Sequence, residues 1–291
     1  MVIAYPIYDV VFKRMMENER VAKFFIGTLL EQAIETVEVK PQEFTYTDEL
    51  AGLSVFRLDF IATIKTDTDE NKKVLIEIQK AKNQIDLMRF RNYLAEQYKK
   101  EDTIANEKVV LPITTIYILG FTLAEIETPC LRVERNYRDQ INKTTLSTKS
   151  DFVEKLTHDS YIVQVERITN RYQTKLDKLL SIFEQRNFYD DKKIIKEFTH
   201  QVDLDEIKIA TDILHHSGTN PAEKKKIETE QEAWRTVNAM FEDKEKKYLI
   251  QLKAKDQALT EKEQALTEKD QALTEKDKLI AELKKKLDAK K

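Results

Sequence analysis

The feature that most constrains this chain is a pair of alternating runs on either side of a short polar link. Residues 55–65 read VFRLDFIATIK and residues 74–80 read VLIEIQK, with DTDEN at 67–71 between them. Alternation sends successive side chains to opposite faces of a strand. In the first run Phe56, Leu58, Phe60, Ala62 and Ile64 share an apolar face, and Arg57 and Asp59 share the other with Val55 and Ile61. In the second run Val74, Ile76 and Ile78 lie on one face and Leu75, Glu77 and Gln79 on the other. The link has turn chemistry, which predicts an antiparallel hairpin centred near Thr68. That register sets Leu58 against Ile78, Phe60 against Ile76, Ala62 against Val74, Asp59 against Glu77 and Arg57 against Gln79. A slip of one residue would mix the faces.

Directly opposed Cβ atoms lie about 4.5–5.5 Å apart. Two carboxylates that close repel, unless a cation sits between them or one is protonated. A hard divalent ion such as Mg²⁺ prefers oxygen ligands and keeps several waters. Asp59, Glu77 and the Ile78 carbonyl are therefore the candidate metal ligands. A metal held there would activate water and neutralise charge on a phosphoryl group. Gln79 could orient the attacking water or contact a phosphate, and Arg57 or Lys13 could bind a phosphate oxygen. A plainer reading is a solvated hairpin face, with Asp59 paired to Arg57 or Lys13 and Glu77 to Arg89.

Around the hairpin, apolar spacing predicts a helix over Tyr8–Glu35 with a break near Glu17–Glu19, and a short strand at Phe44–Thr47. Further on it predicts a helix at Ile85–Lys100 and strands at Pro112–Phe121 and Ser160–Ile168. A helix at Thr174–Phe188 and shorter helical stretches to about His215 follow. This order argues for an α/β core with a mixed sheet. From about Pro221 the chain changes character: LTEKEQA, LTEKDQA and LTEKDKL repeat, and Leu252, Leu259, Leu266, Leu273, Ile280 and Leu287 recur every seven residues. A single helix on the order of 100 Å long is expected, either as a coiled coil or as a solvated helix laced by Glu–Lys neighbours. The organisation read from the sequence is a core over 1–125, a mostly helical remainder over 126–220, and a long charged helix over 221–291.

Several classes of function fall away. Glycine occurs four times, with no G-x-G-x-x-G and no P-loop. No histidine pair has zinc-protease spacing, cysteines do not cluster, and no serine sits in a G-x-S-x-G turn. The single Cys130 allows no internal disulfide and fits a reducing compartment. Charge appears within nine residues of the start, so neither a signal peptide nor a membrane span is expected, and the cytoplasm is the expected location. The net charge is −3. Residues 221–291 hold 18 basic and 16 acidic side chains, leaving 31 and 36 in residues 1–220. Passive binding of nucleic acid by bulk positive charge is disfavoured, so a DNA-binding role would need a local basic patch and a metal ion.

Five segments together, YDVVFKRMM (8–16), FRLDFIATI (56–64), VLIEIQKAK (74–82), RFRNYLAEQY (89–98) and PITTIYILGF (112–121), carry a family likeness. In order and spacing the chain resembles the PD-(D/E)XK nuclease superfamily, and more narrowly its recombination-promoting nuclease/putative transposase branch. The likeness spans about residues 4–125, fades toward about 215 and leaves out the tail. It implies a restriction-endonuclease-like core and a DNA endonuclease that depends on Mg²⁺, or Mn²⁺, and on two hairpin acids. Asp59 matches the first acid and Glu77 the second. Gln79 stands where the superfamily has lysine, a variation this branch shares. Asp9 and Lys13 match an N-terminal D-x-x-F-K pattern, and Arg89 and Tyr93 an R-x-x-x-Y pattern on the following helix. Leu58 stands where the superfamily has its proline. Without the lysine, positioning water would fall to Gln79, Lys13 or a second metal. The alternative is an inactive nuclease-fold protein that works as an interaction module, self-associating through residues 221–291. A regulatory DNA binder is the third reading, and the acidic body counts against it.

Overall fold

The two alternating runs lie in the middle of a six-stranded sheet in a computed structural model of the chain. The structure describes residues 1–48, 53–80, 84–169, 171–189 and 192–288; within these, the side chains at 41–59, 84–86, 89 and several positions beyond 236 are outside the description. In chain order the elements are β1 (Val2–Ala4), α1 (Asp9–Met16), α2 (Glu19–Leu30), β2 (Ile34–Asp48), β3 (Leu53–Thr66), β4 (Asn71–Gln79) and α3 (Gln84–Lys99). Next come β5 (Asp102–Ile104), β6 (Glu107–Val109), β7 (Ile113–Leu119), β8 (Cys130–Val133), β9 (Tyr137–Arg138), β10 (Thr145–Leu146), α4 (Asp151–Leu156) and β11 (His158–Gln164). The chain continues through α5 (Lys175–Ser181), β12 (Ile195–Glu197), α6 (Asp205–Thr219) and α7 (Pro221–Asp288).

The sheet order is β2-β3-β4-β7-β11-β8. The first three strands are antiparallel, β4, β7 and β11 are parallel, and β8 is antiparallel again. The fold is thus α/β with a central mixed sheet flanked by helices. The parallel step from β4 to β7 is bridged by α3, as a parallel pair requires a long crossover. The hairpin register follows the apolar match: Phe60 faces Ile76, Ala62 faces Val74, and Lys65 faces Asn71. Asp69, in the link, adopts a left-handed φ of 64°.

The apolar face of the hairpin carries the main core. Phe60, Ala62, Ile64, Val74, Ile76 and Ile78 are buried there against α1, α2, α5 and α6. Phe12 of α1 packs edge-on to Phe60 at 5.0 Å and to Phe25 of α2 at 5.4 Å. The other face bears a smaller cluster, where Ile61, Leu75 and Ile113 lie under Phe90 and Tyr93 of α3.

Four expectations change. The first helix breaks as expected, with Asn18 capping α2 through Val21 N–H at 3.1 Å, but α2 ends at Leu30 because Glu31 turns left-handed at φ 54°. The strand expected at Phe44–Thr47 is β2, 15 residues long. Its polar-apolar run ETVEVKP is broken in the sequence by Pro41, and Pro41 is tolerated because β2 is an edge strand. The helix expected at Thr174–Phe188 stops at Ser181. Residues 126–220 are mixed rather than mostly helical, since β8 to β12 stand there beside α4, α5 and α6. Strand β12 closes a two-stranded ladder with β1.

The long helix α7 also begins inside the body. Ile227, Gln231 and Trp234 are buried, and the compact units are Met1–Arg235 and Thr236–Lys291. The helix starts at Pro221, and its described buried residues extend to Trp234, about four turns later. Among the described residues, no helix is long and apolar enough to cross a membrane.

Two outcomes follow from the packing. A Cβ on Gly218 of α6 would lie 2.9 Å from the Ala4 nitrogen and 3.3 Å from the Ile3 carbonyl carbon. Both are backbone atoms with little room to move, so Gly218→Ala is expected to lower unfolding free energy by about 1–3 kcal/mol in a denaturant titration. Lys196, 2% exposed, donates to the Ser181 and Glu184 carbonyls at 3.2 and 2.6 Å. Burial pushes its ammonium down to about 7, against the charge of Glu184. The unfolded chain then binds the extra proton between about pH 7 and 10, so this group makes stability rise with pH across that window. Wild type is expected to gain up to about 1.4 kcal/mol per pH unit more than Lys196→Met there.

Candidate functional site

Alternation along β4 turns Lys73, Leu75, Glu77 and Gln79 toward α3. Glu77 is fully buried and Gln79 is 8% exposed. On the neighbouring strand the ladder sets Tyr117 beside Glu77 and Leu119 beside Gln79. The Tyr117 ring stands edge-on to Phe90 of α3 at 4.7 Å. Burial pushes the Tyr117 phenol up to about 12; a Thr115 hydrogen bond opposes this and the charge of Glu77 adds to it. Tyr117 therefore remains a neutral hydroxyl beside a carboxylate. Tyr93 is 2% exposed in the same cluster, 6.3 Å from Phe90. Gln97, one turn further along α3, is also buried. Neither Gln79 Nε2 nor Gln97 Oε1 has a hydrogen-bond partner among the described residues. A buried amide atom in that condition costs about 1–3 kcal/mol, and such a cost tends to be kept where the group has other work.

The strands fork at this point. The described β3–β4 pairs end at Phe60 and Ile76. Beyond them β3 stays with β2 as far as Leu53, and β4 stays with β7 through Gln79. Glu77, Ile78 and Gln79 are the first residues of β4 past the end of the hairpin ladder. Ile78 itself points into the main core and is 3% exposed. The side chains of Asp59, Arg57 and Arg89, expected to complete the site, lie outside the described residues. Among the described residues no group of three or more His, Cys, Asp or Glu is placed to hold a metal ion.

Asp9 and Lys13 belong to α1, which packs through Phe12 on the opposite face of the sheet. The structure thus brings Glu77, Gln79 and Tyr93 together on the α3 face and sets the helix of Asp9 and Lys13 on the other. Asp9 is buried, 8% exposed. Its backbone N–H donates to Glu230 Oε1 at 2.9 Å, and that of Val10 donates to Glu230 Oε2 at 3.2 Å. Glu230 of α7 therefore caps α1 in place of Tyr8, whose side chain makes no cap bond. The same carboxylate accepts the Lys80 ammonium, which also lies 4.7 Å from the Tyr8 ring and 4.9 Å from that of Trp234.

Sequence reasoning missed Tyr117, Gln97 and the Lys80–Glu230 pair. Tyr117 lies in an apolar run whose pattern gives no face, and only the parallel ladder with β4 places it. Nothing in the sequence joins Lys80 to Glu230 across 150 positions.

Removing Glu230 would leave the Lys80 ammonium without its carboxylate and two N–H groups of α1 uncapped. Glu230→Ala is expected to cost about 3–5 kcal/mol in denaturant unfolding. Lys80→Met with Glu230→Ala should cost less than the two single changes added together, which a double-mutant cycle measures. No family model, no curated protein and no solved structure matches this chain.

Proposed function

We propose that this chain is a metal-dependent DNA endonuclease with a restriction-endonuclease-like core of the PD-(D/E)XK kind. The observation that carries the proposal is the fully buried Glu77, the first residue of β4 past the end of the hairpin ladder. The described ladder stops at Phe60 and Ile76; extending its register by one residue would put Asp59 across from Glu77. A buried carboxylate calls for a compensating cation or proton, and two carboxylates at a strand fork offer the hard oxygen donors that Mg²⁺ or Mn²⁺ favours.

In this reading Asp59, Glu77 and the Ile78 carbonyl hold the ion. When bound, it supplies an activated water and neutralises charge on the scissile phosphate. Gln79, buried with its amide nitrogen unbonded to any described residue, holds the water or a phosphate oxygen in place of the lysine. Tyr117 and Tyr93 close the α3 side of the site and exclude bulk water from Glu77. Arg57 and Arg89 are the cations proposed to meet the DNA phosphates, while Lys13 and Asp9 support α1 on the opposite face.

A second reading rests on Gln79 itself. A neutral amide does not supply the positive charge of a lysine, and the fold would then serve as an inactive interaction module. Plasmid cleavage separates the two. Purified protein with Mg²⁺ or Mn²⁺ is expected to nick or linearise plasmid DNA. Asp59→Ala and Glu77→Gln should each lower the rate about 100-fold or more while the thermal transition survives. Intact plasmid with wild-type protein, or equal cutting by both variants, would sink the nuclease reading.

A further inference from the structure

We propose that α7 beyond Arg235 is the docking surface for a second copy of this chain, parallel and in register. The observation is a column of apolar side chains flanked by four lysines that have no acidic residue three or four positions away on their own helix. Leu252, Leu259, Leu266, Leu273 and Ile280 are 42%, 58%, 62%, 58% and 49% exposed. They recur every seven residues through five successive heptads, and a seven-residue column drifts about 20° per heptad on a straight helix. A left-handed two-stranded supercoil removes that drift and keeps the column on its partner.

Charge decides what covers it. Three residues after each of the first four apolar residues stands lysine, at Lys255, Lys262, Lys269 and Lys276; four residues after stands an acid, at Asp256, Glu263, Asp270 and Asp277. The two columns flank the apolar column, lysines on one side and acids on the other. None of the four lysines has an acidic residue three or four positions away. Only such spacings bring helix side chains together, so these lysines find no ion pair within the helix. Upstream the spacing is different: Lys247 and Asp243, four apart, pair at 2.9 Å. A solvated single helix laced by its own ion pairs is therefore a poor description of Leu252–Ile280.

Two-fold symmetry supplies the missing partners. When two copies run parallel with the apolar column itself centred on a shared two-fold axis, the lysine flank of each helix meets the acidic flank of the other, with Lys255 and Asp256 at nearly the same height. When they run antiparallel, lysine meets lysine and acid meets acid. Like charges so placed are destabilising, so the charge pattern selects the parallel pair and rejects its reverse.

The test uses the full chain and sedimentation equilibrium, and does not involve cleavage. Wild type is expected to be dimeric in the micromolar range. Replacing the lysine flank (K255E, K262E, K269E) or the acidic flank (D256K, E263K, D270K) should each weaken the dimer at least about tenfold. An equimolar mixture of the two variants should restore it as a heterodimer. Orientation is read by oxidation with Cys130→Ser as background: Ile280→Cys should crosslink to itself. A monomeric wild type, flank variants that dimerise as well as wild type, or crosslinking only between Leu252→Cys and Ile280→Cys chains would each overturn the proposal. Far-UV circular dichroism of the variants checks that the body remains folded, and Leu259→Asp with Leu266→Asp provides a second, charge-independent route to the monomer.

Discussion

Alternation along β4 decides where each polar group in the body can go. The strand is covered on both sides, by α1, α2, α5 and α6 on one face and by α3 on the other. No position on β4 from Val74 to Gln79 faces bulk solvent. The apolar match between Phe60 and Ile76 and between Ala62 and Val74 fixes the register, because a shift by one residue would drive Glu77 into the cluster beneath Phe12. With the register fixed, a carboxylate and a carboxamide are forced into the thinner α3 layer. That layer meets them with Tyr93, Tyr117 and Gln97, each carrying a polar tip on an otherwise apolar body.

The end of the same strand also organises the opposite face. Lys80 is the next residue after Gln79, and its ammonium meets Glu230 among the rings of Tyr8 and Trp234. The N-terminus of α1 carries partial positive charge from its aligned peptide dipoles, and it points two N–H groups at the same carboxylate. One acid thus serves two positive groups that would otherwise repel each other. The start of α7 is consequently part of the body, and among the described residues its buried side chains run to Trp234.

Much of this was legible in the sequence, and the exceptions have physical causes. The hairpin register, the break between α1 and α2, helix α3 and strand β7 follow from periodicity and caps, because each buries one strongly patterned face. Strand β2 was hidden by Pro41 and by alternating Glu and Lys residues on an edge, where solvent accepts both. Strands β8, β9, β10 and β12 are two to four residues long, too short for a periodic pattern, and β12 pairs with a segment far away in the chain, Glu197 with Val2. Within the candidate site, Glu77 and Gln79 could be singled out because they interrupt an apolar strand. Tyr117 could not, because a tyrosine in a strand is ordinary until a parallel neighbour sets it beside a carboxylate.

Glutamine at position 79 changes the electrostatics of the proposed site more than its shape. A lysine there would place a positive charge near Glu77 and hold the carboxylate ionised without help. It would also repel an incoming divalent ion, so charge balance and metal binding would compete. Glutamine removes both effects: the carboxylate loses a fixed counter-charge, and the ion loses a competitor. In a fully buried setting a carboxylate needs compensation, and on the proposed reading a bound divalent ion would contribute part of it at Glu77. On the proposed reading, binding of the metal and stability of the fork between β3 and β4 are then coupled, since the ion replaces the charge that the strand itself does not provide.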